Sequence, residues 1–393
     1  MKLAIVASHA IQYYAPLFSY LTAETPLQIK VFYLWDFGVT EQMDRGFQRS
    51  LQWDIPLLKG YDCEFVENIS ANPGTHHRAG LQNPTLLERV KHYSPDAILL
   101  MVSYNYDSIY NFLWRSLTHK VPLLFRGDSH RLLVNHSVKS WAKRQVISTI
   151  FKRFDACLYV GKANHDYFRY HHVPEQKLFF TPHSVDNQRF FDVKDFAIAQ
   201  AKVWRAELGI PSEHLLILFA GKFVSKKRPL DLVQSFLDAK LQHTSLLFVG
   251  AGELEPDLKL LAAHSSQIYF APFQNQTLMP RTYAAADLVV LPSYGSSETW
   301  GLAINEAMCM ARPVIVSDHV GCAQDLVHPR QNGLIFTAGD RVELATCLKE
   351  ACSDRDRLQA WGKASHNIIR NYSYAKVAQG VMSALHYVQE SQT

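Results

Sequence analysis

The sequence predicts an α/β protein built from two doubly wound, parallel-sheet (Rossmann-like) domains that face a cleft. Short apolar, β-branched runs alternate with amphipathic stretches along all 393 residues. The runs lack the in–out alternation of a half-exposed strand, so they read as strands covered on both faces, as in parallel sheets. Twelve such runs are too many for one comfortable open sheet, and the chain length suits two domains of roughly 150–200 residues each.

In the first half the strand-like runs are Leu3–Ala7, Ile29–Leu34, Ala97–Val102, Pro122–Phe125, Cys157–Val160 and Lys177–Phe180. In the second they are Leu215–Ala220, Leu246–Val249, Ile268–Phe270, Leu288–Leu291, Pro313–Val316 and Gly333–Phe336. Helical periodicity is clearest over Leu86–His92, Pro229–Leu237, Leu258–Ala263 and Val342–Ala351. Strand signals lapse over Ser184–Lys202, which puts the seam there: a domain over 1–190 and another over 191–372. A last helical stretch, Tyr374–Val388, follows the final strand and can pack back on either domain.

Composition narrows the class. Apolar residues at 48% and charged residues at 19% exclude a disordered chain, and 18 Gly with 17 Pro exclude collagen-like sequence. No apolar run reaches the ~18 residues of a membrane span. The opening MKLAIVASHAIQYYAP lacks a cleavage site of the secretory type, so the expected compartment is the cytoplasm. A net charge of +4 is too mild to call for a nucleic-acid partner. The excess sits entirely in residues 1–190, with 21 Lys and Arg against 16 Asp and Glu. Cys63, Cys157, Cys309, Cys322, Cys347 and Cys352 form no CxxC and no zinc-type spacing, so free thiols in a reducing compartment are expected.

The densest chemistry lies in Ser296–Met308, after a strand that ends at Leu291. Glu298 precedes a helix and Glu306 lies inside it. Between them, the free N–H groups of Gly301 and Leu302 at a helix start suit an anion. Two carboxylates around such a point can hold hydroxyls that flank a phosphate, although acidic residues also simply stabilise helix N-termini. A second group is Phe219–Pro229, where Lys222, Lys226, Lys227 and Arg228 crowd a strand-to-helix turn. Strand C-termini are where open α/β sheets bind ligands. Beside the first anion point, a diphosphate explains this crowding better than a solvated loop does.

Other motifs are absent. Gly250-Ala251-Gly252 lacks the third glycine of a dinucleotide fingerprint, and no P-loop or GxSxG occurs. The only DxD, Asp354–Asp356, opens a helical stretch and reads as a cap. In the first half, Asp128 and His130 follow a strand, and His9 and Gln12 follow the first strand. A titratable side chain there suits acid–base work, hydroxyl binding or loop capping.

Together these features resemble the GT-B fold retaining glycosyltransferases of family 4, the group 1 glycosyltransferases, over roughly residues 120–371. The family's ExxFGxxxxEAM element is matched by Glu298, Gly301, Glu306, Ala307 and Met308, with Trp300 where Phe is usual. Its phosphate element is matched by Gly221, Lys222 and Lys227, with Lys222 for the usual Arg and Arg228 for the usual Gly. Thr181–Phe190 resembles the element that closes the first domain, and the HxIQYxxPL run at His9 resembles a subset of the family.

The resemblance implies a donor, a UDP- or GDP-sugar, in the second domain and an acceptor in the first. Glu306 would hold the ribose, Glu298 the sugar hydroxyls, Lys222 and Lys227 the diphosphate. Phe273 would lie near the base and His130 near the transferred sugar, with His9 and Gln12 on the acceptor side. No cofactor and no metal are expected. The acceptor would be a glycan, a lipid-linked molecule or a small molecule.

Ser129–Phe154 carries six Lys and Arg and no acid, with Trp141, Ile147, Ile150, Phe151 and Phe154 interleaved. Either contact with an anionic membrane or a solvated, partly packed segment accounts for it. The rival functions are a nucleotide-sugar epimerase of the same fold and a non-catalytic two-domain sugar-binding protein.

Overall fold

The structure is a computed structural model that describes residues 1–115, 121–133 and 137–391. Its first domain holds strands β1 (Lys2–Ala7), β2 (Gln28–Tyr33), β3 (Gln42–Asp44), β4 (Arg49–Leu51), β5 (Asp62–Phe65), β6 (Ala97–Met101), β7 (Leu123–Arg126), β8 (Ala156–Tyr159) and β9 (Leu178–Phe180). The second holds β10 (Leu215–Lys222), β11 (Thr244–Ala251), β12 (Ile268–Ala271), β13 (Leu288–Leu291), β14 (Val314–Ser317) and β15 (Gly333–Phe336). The first sheet runs β5-β2-β1-β6-β7-β8-β9 and the second β12-β11-β10-β13-β14-β15. Every ladder within these two sheets is parallel. Strands β3 and β4 form a separate antiparallel hairpin.

Strand order reverses between β1 and β6 in one sheet and between β10 and β13 in the other. Each reversal leaves a crevice at the strands' C-terminal ends, the usual ligand position in open α/β sheets. The loops after β1 and β13 carry His9 and Glu298, and β10 ends on Lys222. Topology alone therefore brings the candidate residues to the mouths of the two sheets.

Each sheet is buried on both faces. Leu3, Ile5 and Leu99 face one core and Ala4, Val6 and Ile98 the other, which is why the strands read as unbroken apolar runs. The second sheet divides likewise, with Leu216 and Leu218 on one side and Leu215 and Ile217 on the other. The lapse of strand signals at Ser184–Lys202 corresponds to helices Asn187–Asp192 and Lys194–Glu207. Phe190, Ala197 and Trp204 from these helices join the second domain's core.

The closing helix, Tyr374–Glu390, returns to the first sheet, lies against β8 and β9, and buries Val377, Val381 and Leu385 in the core that also holds Leu3 and Ile5. The chain thus crosses between the sheets twice. Asn187 Nδ2 ties the crossings together by donating to the carbonyls of Ile369 (3.1 Å) and Tyr372 (3.2 Å). Among the described residues, no helix is long and apolar enough to cross a membrane.

Candidate functional site

A cleft of about 450 Å³ lies between the two sheets, lined from the first by His9, Gln12, Tyr14, Asp128 and His183 and from the second by Lys222, Lys227, Phe273, Glu298, Gly301, Leu302 and Glu306.

The second-domain wall is built on helix Leu302–Cys309. Gly301 caps it with φ +98°, and a Cβ there would meet Val320 Cγ1 at 2.9 Å and Leu291 Cδ2 at 3.0 Å. Only glycine turns the chain so tightly from β13 into this helix. The turn presents the first-turn N–H groups to the cleft, where a helix leaves them without internal partners. Glu298, in the loop before the helix, accepts from Ser293 Oγ at 2.9 Å and pairs with Lys227. Burial pushes its pKa up, but Lys227, Ser293 and Lys226 outweigh burial and hold the carboxyl below its usual range.

Glu306 lies inside the helix and is 2% exposed. Its Oε2 accepts from the Tyr283 hydroxyl at 2.8 Å, while its Oε1 is buried with no hydrogen-bond partner. Burial raises its pKa, against the opposing influence of Arg189, Tyr283 and Tyr13. An unpaired buried carboxylate oxygen beside a cleft is costly unless a ligand donates to it.

Trp300 uses the indole N–H that a phenylalanine lacks: Nε1 donates to Asn305 Oδ1 at 2.8 Å. Asn305 Nδ2 in turn donates to the His183 carbonyl at 2.9 Å. Asn305 therefore links Trp300 and the site helix to the opposite domain.

From the first domain, Asp128 reaches across the cleft to accept from Thr299 Oγ1 at 2.7 Å, with His183 Nε2 at 3.5 Å from the same oxygen. Burial opposes its ionisation, yet His183 and Thr299 overcome this and lower its pKa to about 2. His183 is buried, its ring parallel to Tyr14 at a centroid distance of 6.0 Å, and burial lowers its pKa. His130 stands outside the cleft's lining. Its Nδ1 accepts from the Leu132 N–H at 3.3 Å and its buried Nε2 has no partner. Burial lowers its pKa, partly countered by Glu298 and Asp128.

His9 lies in the cleft between Trp35 (5.7 Å) and Phe37 (5.5 Å), and burial takes its pKa down to about 4. Gln12 lies on the same wall. Thus Asp128, His9 and Gln12 share one cleft with Glu298 and Glu306, whereas His130 borders it from outside.

Both cleft lysines expected to meet a diphosphate are ion-paired, Lys227 to Glu298 and Lys222 to Asp44 at 2.9 Å. Asp44 comes from the β3–β4 hairpin, which the sequence reading missed along with His183, Tyr283 and Thr299. Its Asp-Arg-Gly turn is a legible loop signal, but nothing local shows where the turn points. Phe273 meets the same hairpin, with Phe47 edge-on at 4.6 Å and the Arg49 guanidinium at 4.9 Å from its ring.

Asp354, the start of the DxD, caps helix Arg355–Ile369 by accepting from the Arg357 N–H at 3.1 Å.

The architecture is that of GT-B glycosyltransferase structures. It matches Anabaena HepE, solved with UDP and glucose, at TM-score 0.71 and 16% identity, covering 98% of this chain and 99% of that one. Sucrose-phosphate synthase from Thermosynechococcus elongatus matches at TM-score 0.72 and 18% identity over 100% of both chains. Within this fold, residues 200–368 match the family model of group 1 glycosyl transferases.

Curated relatives match over part of the chain. The D-inositol 3-phosphate glycosyltransferase of Nocardia farcinica is 31% identical over 192 residues, 46% of this chain and 42% of that protein. The sulfoquinovosyl transferase SQD2 of Arabidopsis thaliana is 29% identical over 165 residues, 41% of this chain and 31% of that protein. The chain therefore spans less than half the length of the curated relatives it matches.

Proposed function

We propose that the protein is a retaining glycosyltransferase that moves a sugar from a nucleotide-diphosphate-sugar, a UDP- or GDP-sugar, to an acceptor hydroxyl. The observation that carries this reading is the pair of carboxylates on either side of the Gly301–Leu302 helix start. Glu298 is kept ionised by Lys227, whereas Glu306 is buried with one oxygen unpaired. A ribose hydroxyl satisfies Glu306, sugar hydroxyls meet Glu298, and the diphosphate lies at the helix N-terminus between them. As the glycosidic bond breaks, charge grows on the diphosphate, and the helix N-terminus and the cleft lysines stabilise it without reorganising. This supply of positive potential from the chain itself underlies the proposal of metal-independent catalysis.

Asp128, His9 and Gln12 occupy the facing wall and form the acceptor side, where a glycan, a lipid-linked molecule or a small molecule would bind. The six cysteines are all unpaired, which suits action in the cytoplasm.

The test is a panel of UDP- and GDP-sugars with candidate acceptors, followed by anomer analysis of the product. Acceptor-dependent release of nucleoside diphosphate with retained configuration, insensitive to excess EDTA, is expected. Isomerised nucleotide sugar made without any acceptor would identify an epimerase instead, and saturable binding without turnover would identify a binding protein. Activity lost on chelation and restored by Mg²⁺ or Mn²⁺ would overturn metal independence.

A further inference from the structure

The β3–β4 hairpin belongs to the first domain but inserts into the second domain's half of the cleft. Lys222 Nζ lies 2.9 Å from both carboxylate oxygens of Asp44 and 4.8 Å from the centre of the Phe47 ring. The pair is sheltered, with the Asp44 side chain 11% exposed and that of Lys222 35%. Asp44 is also held on its own side: its Oδ1 accepts from the N–H groups of Gly46 (2.8 Å) and Phe47 (2.9 Å). Gly46 packs on the lysine stem, where a Cβ would lie 2.6 Å from Lys222 Cδ. Further along, the Thr277 N–H donates to Asp54 at 3.1 Å and Asn275 Nδ2 to the Gln52 carbonyl at 2.8 Å, which docks the segment on the second domain.

We propose that Asp44 is a positioning residue of the donor site that competes with the donor's diphosphate for Lys222, making the β3–β4 hairpin a displaceable wall. The inference rests on the donor reading above. A carboxylate held by two backbone N–H groups is a preformed anion facing the ammonium. Lys227 is already committed to Glu298, so an incoming diphosphate reaches Lys222 only by taking the place of Asp44 or sharing the cation with it. Displacement would also free Phe47 and Arg49 from Phe273, so entry of a nucleotide and movement of the hairpin become one event.

Asp44→Asn is the discriminating variant, because its amide oxygen can keep both turn hydrogen bonds while the charge is lost. Calorimetry with UDP, GDP and inorganic pyrophosphate should show about fivefold tighter binding to D44N, the ratio expected for loss of one part-exposed ion pair. The gain should vanish on a Lys222→Ala background, and amide exchange over 42–51 should quicken in D44N. A merely structural Asp44 would give the opposite sign, weaker binding. Unchanged or weaker binding to D44N, with wild type still binding, would overturn the competition and leave the donor reading standing. If neither protein binds any of the three probes, the donor reading falls and this proposal with it.

Discussion

Glu298 and Glu306 are eight residues apart and stand on opposite sides of the usual carboxylate range, because the Lys227 ammonium outweighs burial at Glu298 whereas burial outweighs the surrounding donors at Glu306. Their variants should therefore fail differently. Glu298→Gln should lower turnover by roughly 10²–10³-fold, as for other preorganised polar contacts to a transition state, with nucleotide affinity little changed. Glu306→Gln should weaken nucleotide binding by roughly 10–100-fold, the range for a hydrogen bond to a charged group, with a smaller change in turnover. Steady-state kinetics alongside calorimetry separate the two, and equal effects on both quantities would contradict the division of roles. At this scale the sequence was informative wherever chemistry is local. Spacing around Gly301 picked out both glutamates. It had no means of finding Tyr283 or Thr299, which act through contacts with Glu306 and with Asp128 from distant parts of the chain. Asp128 and His130 looked equivalent as neighbours in one loop, yet Asp128 lines the cleft while His130 lies beside the Glu298 loop at its border.

Among elements, the closing helix illustrates what periodicity can and cannot tell. Its apolar face was legible, but its choice of domain depends on an uncovered face of the first sheet, a tertiary fact. A chain shortened to residue 372 should leave Ala156 and Leu158 of β8 uncovered and lose the first domain's cooperative unfolding in urea. Within the helix, Leu385→Ala should cost about 2–5 kcal/mol, read from the shift in urea midpoint. The β3–β4 hairpin escaped notice because three-residue strands carry no period to detect. Strand β5, Asp62–Phe65, escaped because it is a short edge strand with exposed Asp62 and Phe65.

The basic segment has a mixed face. Helix Val138–Phe151 buries Ile147 and Phe151, and Phe154 just beyond is also in the core, while Trp141 is 62% exposed. Residues 134–136 of that segment lie outside the described residues. Arg144 spends its charge within the fold, stacked over Tyr170 at 4.1 Å and donating to that residue's carbonyl. Lys139, Lys143 and Lys152 remain exposed as the groups an anionic bilayer would meet. We expect vesicle flotation to show binding to anionic but not neutral lipid, reduced by Lys139→Glu with Lys143→Glu. Equal flotation with both lipids would remove the membrane reading.

For the whole molecule, the two-domain parallel architecture was readable because each strand is buried on both faces and prints an unbroken apolar run. All twelve expected strands are present. The relation between the domains was not readable, since it rests on single pairs such as Thr299 with Asp128 and Lys222 with Asp44. Acid stability is also a property of the whole chain. Burial lowers the pKa of both His9 and His171 to about 4, below the ordinary histidine value of 6.5. The unfolded chain therefore takes up protons first, so the stability these residues confer is complete above pH 6.5 and is lost as pH falls toward 4. Asp128, with a pKa of about 2, gives way only at still lower pH. Thermal melts should show Tm falling between pH 6.5 and 4, with a flatter profile for the His9→Asn, His171→Asn double variant.

The return of the closing helix to the first sheet has a mechanical consequence. Strand β1 lies inside that sheet and helix Tyr374–Glu390 lies against it, so both ends of the described chain are anchored in one domain. Tension applied between them loads the first domain alone, while the second hangs as an unstressed loop behind the Asn187 tie. In an optical trap the first domain should therefore rip before the second feels any force. Extension should then come in two ordered steps, the later one lengthened by the residues of the second domain.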